Sequence, residues 1–219
     1  MNELLFLLQA LLVILCGLGS LRLGKEALFS WICLQAILAN LFVTKQISCF
    51  GFTITCSDAF AIGSFLSLNL LQEYYGKLSC KKASYMAFYL MLFFTLASKI
   101  HLLFTPSPHD TTHPSFVTIL TATPRLVIAS LLSFFLMQRL DIWLFNYFKN
   151  NWKAPLSRRS TASLLISQLF DTICFTYLGL YGSVASCGDI ILVSYLVKCI
   201  IIFLSTPLIN LSKPLSNNA

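Results

Sequence analysis

The sequence predicts an all-α polytopic membrane protein of about seven transmembrane helices, built as one domain over residues 1–219. Composition is the first observation behind this. Hydrophobic residues make up 57% and charged residues 11% of the chain, whereas a soluble domain carries roughly a quarter charged residues. Mean hydropathy is correspondingly high, at +0.79. The second observation is length: the apolar stretches approach or exceed the ~18 residues a helix needs to cross the hydrocarbon core. The third is that Lys and Arg concentrate in alternate polar breaks, which is how loops retained on the cytoplasmic side are marked.

The spans run in order over Leu4–Leu21, Ala27–Val43, Ile54–Gln72, Ala83–Leu103, Pro124–Phe148, Ser160–Tyr181 and Ile190–Leu211. Arg22 and Lys25 occupy the first break, Lys77, Lys81 and Lys82 the third, and Lys149, Lys153, Arg158 and Arg159 the fifth. The second break has only Lys45, and the fourth and sixth have neither Lys nor Arg. Odd breaks inside put the N-terminus out and the C-terminus in, across a cytoplasmic membrane. The first span is preceded by Glu3 and followed by the positives, the charge order of an anchor with its N-terminus outside rather than of a cleaved signal. Cleavage there would leave six spans. In the fifth span, Thr123-Pro124 supplies an N-cap followed by proline at the first helical position. Thr105–Thr123, with Pro106, Pro108 and Pro114, is then an external loop.

Polar groups at membrane depth carry the functional expectation. A charge near the bilayer centre costs about 2.5–3.5 kcal/mol on insertion scales, so it faces a partner or a cavity. The groups concerned are Asp58, Asn69, Glu73, Arg125, Gln138, Asp141, Gln168 and Asp171. Lys99 and Lys198 lie nearer the outer ends, where a lysine snorkels to the interface. Helix rise puts Asn69 about 10 Å from the inner surface, Asp141 about 10–12 Å, Gln168 about 12 Å and Asp171 about 17 Å. Asn69 with Glu73, Gln138 with Asp141 and Gln168 with Asp171 each share a helix face. A pattern also occurs twice, Gln138-x-x-Asp141-x-x-x-Phe145 and Gln168-x-x-Asp171-x-x-x-Phe175, with Ser130 and Ser133 matching Ser160 and Ser163. The two helices run oppositely, as in the inverted repeats that surround transporter midplane sites. Ala59, Gly63 and Ser67 form a small-residue face for close helix packing.

Other chemistries find little support. No P-loop or dinucleotide fingerprint is present, and no nucleophile–base constellation, so no enzyme and no cofactor is expected. His109 and His113 flank Asp110 between prolines, without a metalloprotease motif, so no metal is expected either. The net charge of +7 follows the loops rather than a nucleic-acid face. Cysteines lie mostly inside spans as small hydrophobes; Cys49 and Cys187 share a compartment, as a disulfide or as free thiols.

Three passages together resemble a known family. They are Asn69-x-x-x-Glu73-Tyr-Tyr-Gly76-Lys77; Arg125-x-x-x-Ala129-Ser130 running to Gln138-x-x-Asp141-x-x-x-Phe145; and Trp152, Arg158/Arg159-Ser160-Thr161 and Ser167-Gln168-x-x-Asp171-Thr172. With Asn40 and Lys45 they look like the queuosine precursor transporter family, also described as vitamin uptake transporters, over roughly Asn40 to Phe175. The family usually has Asp where this chain has Asn69. The resemblance implies uptake of a small 7-deazaguanine compound across the lipid bilayer: the nitrile or aminomethyl precursor, or the free base queuine. Substrate binding then falls to Asp141, Asp171, Gln138, Gln168, Asn69 and Glu73. A carboxylate accepts two hydrogen bonds from a guanine-like edge, and a Gln amide donates to its carbonyl. Arg125 and Lys45 are read as gate or structural residues, and Phe145 and Phe175, with Tyr74 or Trp143, as stacking partners. The alternatives are a transporter of another vitamin or nucleobase, or a non-transporting subunit of a membrane assembly.

Overall fold

A computed structural model describes residues 1–43, 45–49, 52–121, 124–182 and 187–212, and the chain there is nearly all helical. Helix α1 (Asn2–Arg22) turns into α2 (Lys25–Phe42) through a two-residue link. That link needs Gly24, whose φ of 106° is a region few side chains tolerate. Strands β1 (Gln46–Cys49) and β2 (Phe52–Thr55) then form an antiparallel hairpin with Gln46 opposite Thr55 and Cys49 opposite Phe52. The third span therefore begins at Asp58 and not at Ile54. Ile54 belongs to a strand because Ile47 lies opposite it and the ladder satisfies its backbone.

Helix α3 (Asp58–His101) is 44 residues long, about 66 Å and more than twice the thickness of the hydrocarbon core. It is broken at Gly76, where φ is 84° and ψ 164°. A residue with a Cβ is strained there, so glycine makes the turn. The two limbs, 58–75 and 77–101, are separate crossings. Among the described residues six helices are long and apolar enough to span, and the broken one brings the crossings to seven.

A short helix, α4 (His113–Leu120), lies in the expected external loop, started by Pro114 in its first turn. Asp110 accepts hydrogen bonds from the Thr112 hydroxyl and amide, which hold its carboxyl below the usual range. Helix α5 (Pro124–Asn151) starts where the sequence indicates; its expected cap, Thr123, lies outside the described residues. Helix α6 (Leu156–Phe175) passes into a π-helical turn, Thr176–Leu180. Helix α7 (Cys187–Ile209) begins three residues earlier than Ile190. Cys187 is a free thiol, and the Cys49 side chain lies outside the described residues.

The core explains the sequence of α1. Phe6, Ala10, Ile14 and Leu18 point inward, while Leu4, Leu5, Leu8 and Leu12 are exposed. An exposed apolar face of that extent suits lipid and not water. Helix α2 packs most extensively on α3, and α5 on α6. The small-residue face is used as expected: a Cβ on Gly63 would collide with Val13 Cγ1. With hydrophobic driving force absent between lipid-solvated helices, such close approach supplies the packing.

Orientation is open to a direct check. Ser79 is buried against Tyr75, so the exposed Lys82 is the better probe beside it. On a background lacking the eight cysteines, Lys82→Cys is expected to label from the cytoplasmic side and Thr111→Cys from outside. Both on one side would contradict seven crossings.

Candidate functional site

The hairpin end of the bundle encloses a cavity of about 410 Å³. Its polar lining includes Asn40 of α2, Thr55 of β2, Asp58 of α3, Ser130 and Ser133 of α5, and Asp171, Thr172 and Thr176 of α6 and its π turn. Lys198 of α7 closes the ring, and Phe134 and Phe175 add aromatic walls. An adjoining cavity of about 280 Å³ shares Asn40, Ser130 and Phe175 and extends past Thr95, Lys99 and Ile119. Asn40 is held in place by accepting from the Ser130 hydroxyl at 2.6 Å and donating to Ala36 O at 3.1 Å. The π turn matters here. Extra backbone in a helix re-aims side chains, and such bulges gather at functional positions.

Lys198 does not snorkel. It lies about 16 Å along α7 from Cys187, is only 5% exposed, and donates to Asp171 Oδ2 at 2.7 Å. The expectation failed because α7 starts at Cys187, which places Lys198 near mid-membrane. At that depth a lysine needs an acid. Asp58 lines the same cavity within electrostatic reach of both groups.

Asp141 occupies a deeper, fully buried layer. Its Oδ1 accepts from the Ser163 hydroxyl and, at 3.1 Å, from Ser167. The Asn69 amide lies beside the carboxylate and donates to Ser160 at 3.1 Å. Gln138 donates to Ser64 at 3.3 Å, joining α5 to α3. Asp141 Oδ2, Asn69 Oδ1, Gln138 Oε1, Ser133 Oγ and both Gln168 amide atoms make no hydrogen bond within the described residues. Buried polar groups normally do, at a cost of about 1–3 kcal/mol when they do not. Asp171 sits one turn, about 6 Å, beyond Ser167 along α6. The two acids thus stand at two levels.

Glu73 stands apart from both levels. Arg159 grips it with two N–H groups at 2.9 and 3.3 Å, and Lys149 approaches at 2.8 Å. This clamp joins the end of the first α3 limb to the end of α5 and the start of α6. Phe145 is fully buried beneath it, with the Arg159 guanidinium 5.6 Å from its ring centre. Of the aromatic candidates Phe175 reaches the cavity; Trp143 is exposed and stacked on Tyr147, and Tyr74 bonds Ser212 at 2.7 Å. Arg125 donates to the Leu178 carbonyl at 2.8 Å, tying α5 to the π turn. Lys45 is exposed beside the hairpin, its carbonyl accepting from Cys56 N.

Sequence reasoning noted Asp58 but not its place in the cavity, and it misplaced Lys198. The available signal was Lys198 itself, a single cation inside an otherwise apolar helix, which implied a buried acid opposite.

A bilayer-spanning helical bundle that encloses a polar, ion-paired cavity at one end has the build of a membrane transporter. The family model described as putative vitamin uptake transporter matches residues 56–212. A Bacillus subtilis (strain 168) protein named "Probable queuosine precursor transporter" is 32% identical over 189 residues, covering 84% of this chain and 82% of that protein. No solved structure matches the chain significantly. The protein belongs to the vitamin uptake transporter family.

Proposed function

We propose that the protein imports a queuosine precursor or the salvage base queuine, a 7-deazaguanine, with its N-terminus outside and its C-terminus inside. The observation that carries this is the cavity at the hairpin end, where Asp171 and Phe175 stand together among small polar side chains. The similarity to a named queuosine precursor transporter directs the choice of substrate. Asp171 spends one oxygen on Lys198; the other accepts from the ring N–H and exocyclic amine of the base. Phe175 lies against the ring, where offset stacking adds about 0.5–1.5 kcal/mol.

The Asp141 layer is the second station on the path. Its unpartnered amide oxygens, the Gln168 amide nitrogen and the carboxylate oxygen match the donors and acceptors of the same base once the outer cavity closes. The Glu73–Arg159–Lys149 clamp closes the inner end and opens for release. No ATP-hydrolysing motif is required for this cycle.

Expression in a cell unable to make queuosine tests the reading. Modified transfer RNA is expected to return when the nitrile, the aminomethyl compound or queuine is supplied. Return with queuine alone would assign the free base. No return with any of the three, at normal membrane abundance, would favour another vitamin or nucleobase.

A further inference from the structure

Three charged side chains line the larger cavity, Asp58, Asp171 and Lys198. The arithmetic leaves one carboxylate over. Lys198 is ion-paired with Asp171 at 2.7 Å, and among the described residues Asp58 has no ion pair within 4 Å. Lys99 contributes only to the adjoining cavity. Asp58 lies in the first turn of α3, where the positive end of the helix dipole favours its anionic form. In the same lining, Ser133 is 1% exposed and its hydroxyl makes no hydrogen bond within the described residues.

We infer that Asp58 is a specificity residue that selects, among 7-deazaguanines, those bearing a protonated amine on the 7-substituent. The inference rests on the proposed function and refines it. An aminomethyl group is a cation at neutral pH, as a lysine is. It supplies both the missing positive charge and N–H donors to Asp58, while the base occupies Asp171. Queuine carries a similar linking amine, with the adjoining cavity available for its ring. The nitrile is neutral and has no N–H on its substituent, so it leaves Asp58 desolvated and uncompensated. A charge-assisted hydrogen bond of this kind corresponds to about ten- to hundredfold in affinity.

Calorimetric titration of the purified full-length protein with the aminomethyl and nitrile compounds tests this. The wild type is expected to bind the aminomethyl compound at least about tenfold more tightly. Asp58→Asn should erase that difference by weakening the amine alone, and Asp58→Glu should retain it. Equal or tighter nitrile binding by the wild type would overturn the inference and leave the proposed function standing. Equal weakening of both ligands by Asp58→Asn would also overturn it, because that is the signature of a structural role. Binding of neither compound would overturn the inference, and would remove the proposed function only if queuine is not bound either.

Discussion

Lys198→Gln is expected to nearly abolish uptake and to lower the amount of protein in the membrane. The substitution leaves Asp171 ionised and without its 2.7 Å partner in a lining that exposes little of either group. Removing one member of a buried ion pair costs about 3–5 kcal/mol, because the remaining charge is stranded. If that acted on binding alone it would be a factor of about a hundred to several thousand. Asp171→Asn should lose uptake as severely, through the opposite stranded charge. The double variant Asp171→Asn/Lys198→Gln strands neither member of the pair, so its abundance should recover while its uptake does not. Such a cycle separates the pair's structural contribution from its part in binding. Normal abundance and kinetics in Lys198→Gln would return the lysine to a snorkelling role.

Asp141→Asn is expected to reduce uptake about ten- to more than a hundredfold at matched membrane abundance. Asn keeps an acceptor for Ser163 and Ser167 but replaces the free Oδ2 by an amide donor. A base offering two N–H groups then meets one acceptor and one repelling donor. Lys99→Gln, which alters only the adjoining cavity, is the control with the aminomethyl compound as substrate and should stay within about twofold. An Asp141→Asn variant with lower abundance but unchanged kinetics would make the acid structural.

The helices were legible because lipid imposes a simple rule: long apolar runs, with cations left at alternate ends. Pro124 marked a start correctly, and Gly63 marked a close approach. The hairpin was hidden because Ile54 reads as the edge of an apolar span, and Ile47 as part of the break before it, until the two are paired. The π turn carries no signature in Thr176–Leu180 that separates it from the helix before it.

The repeated Gln-x-x-Asp pattern shows how far local sequence reaches. Antiparallel packing sets each acid at the level of the other helix's serines: Asp141 meets Ser163 and Ser167, and Asp171 shares its cavity with Ser130 and Ser133. That much follows from two similar helices run in opposite directions. What differs is the third neighbour. Helix α6 packs against α7, which brings Lys198 to Asp171, while α5 packs against α3, which brings Asn69 beside Asp141. The same Gln-x-x-Asp pattern therefore yields an ion pair in one place and a hydrogen-bonded layer in the other. Glu73 shared a helix face with Asn69 in sequence but is drawn to Arg159 and Lys149 by the basic break between α5 and α6.

The most direct measurement is uptake of labelled aminomethyl 7-deazaguanine into proteoliposomes containing only the purified protein. Accumulation that saturates, is competed by unlabelled queuine, and is lost in Asp171→Asn is the predicted result. Uptake no faster than in protein-free vesicles, with the protein folded and inserted, would contradict it.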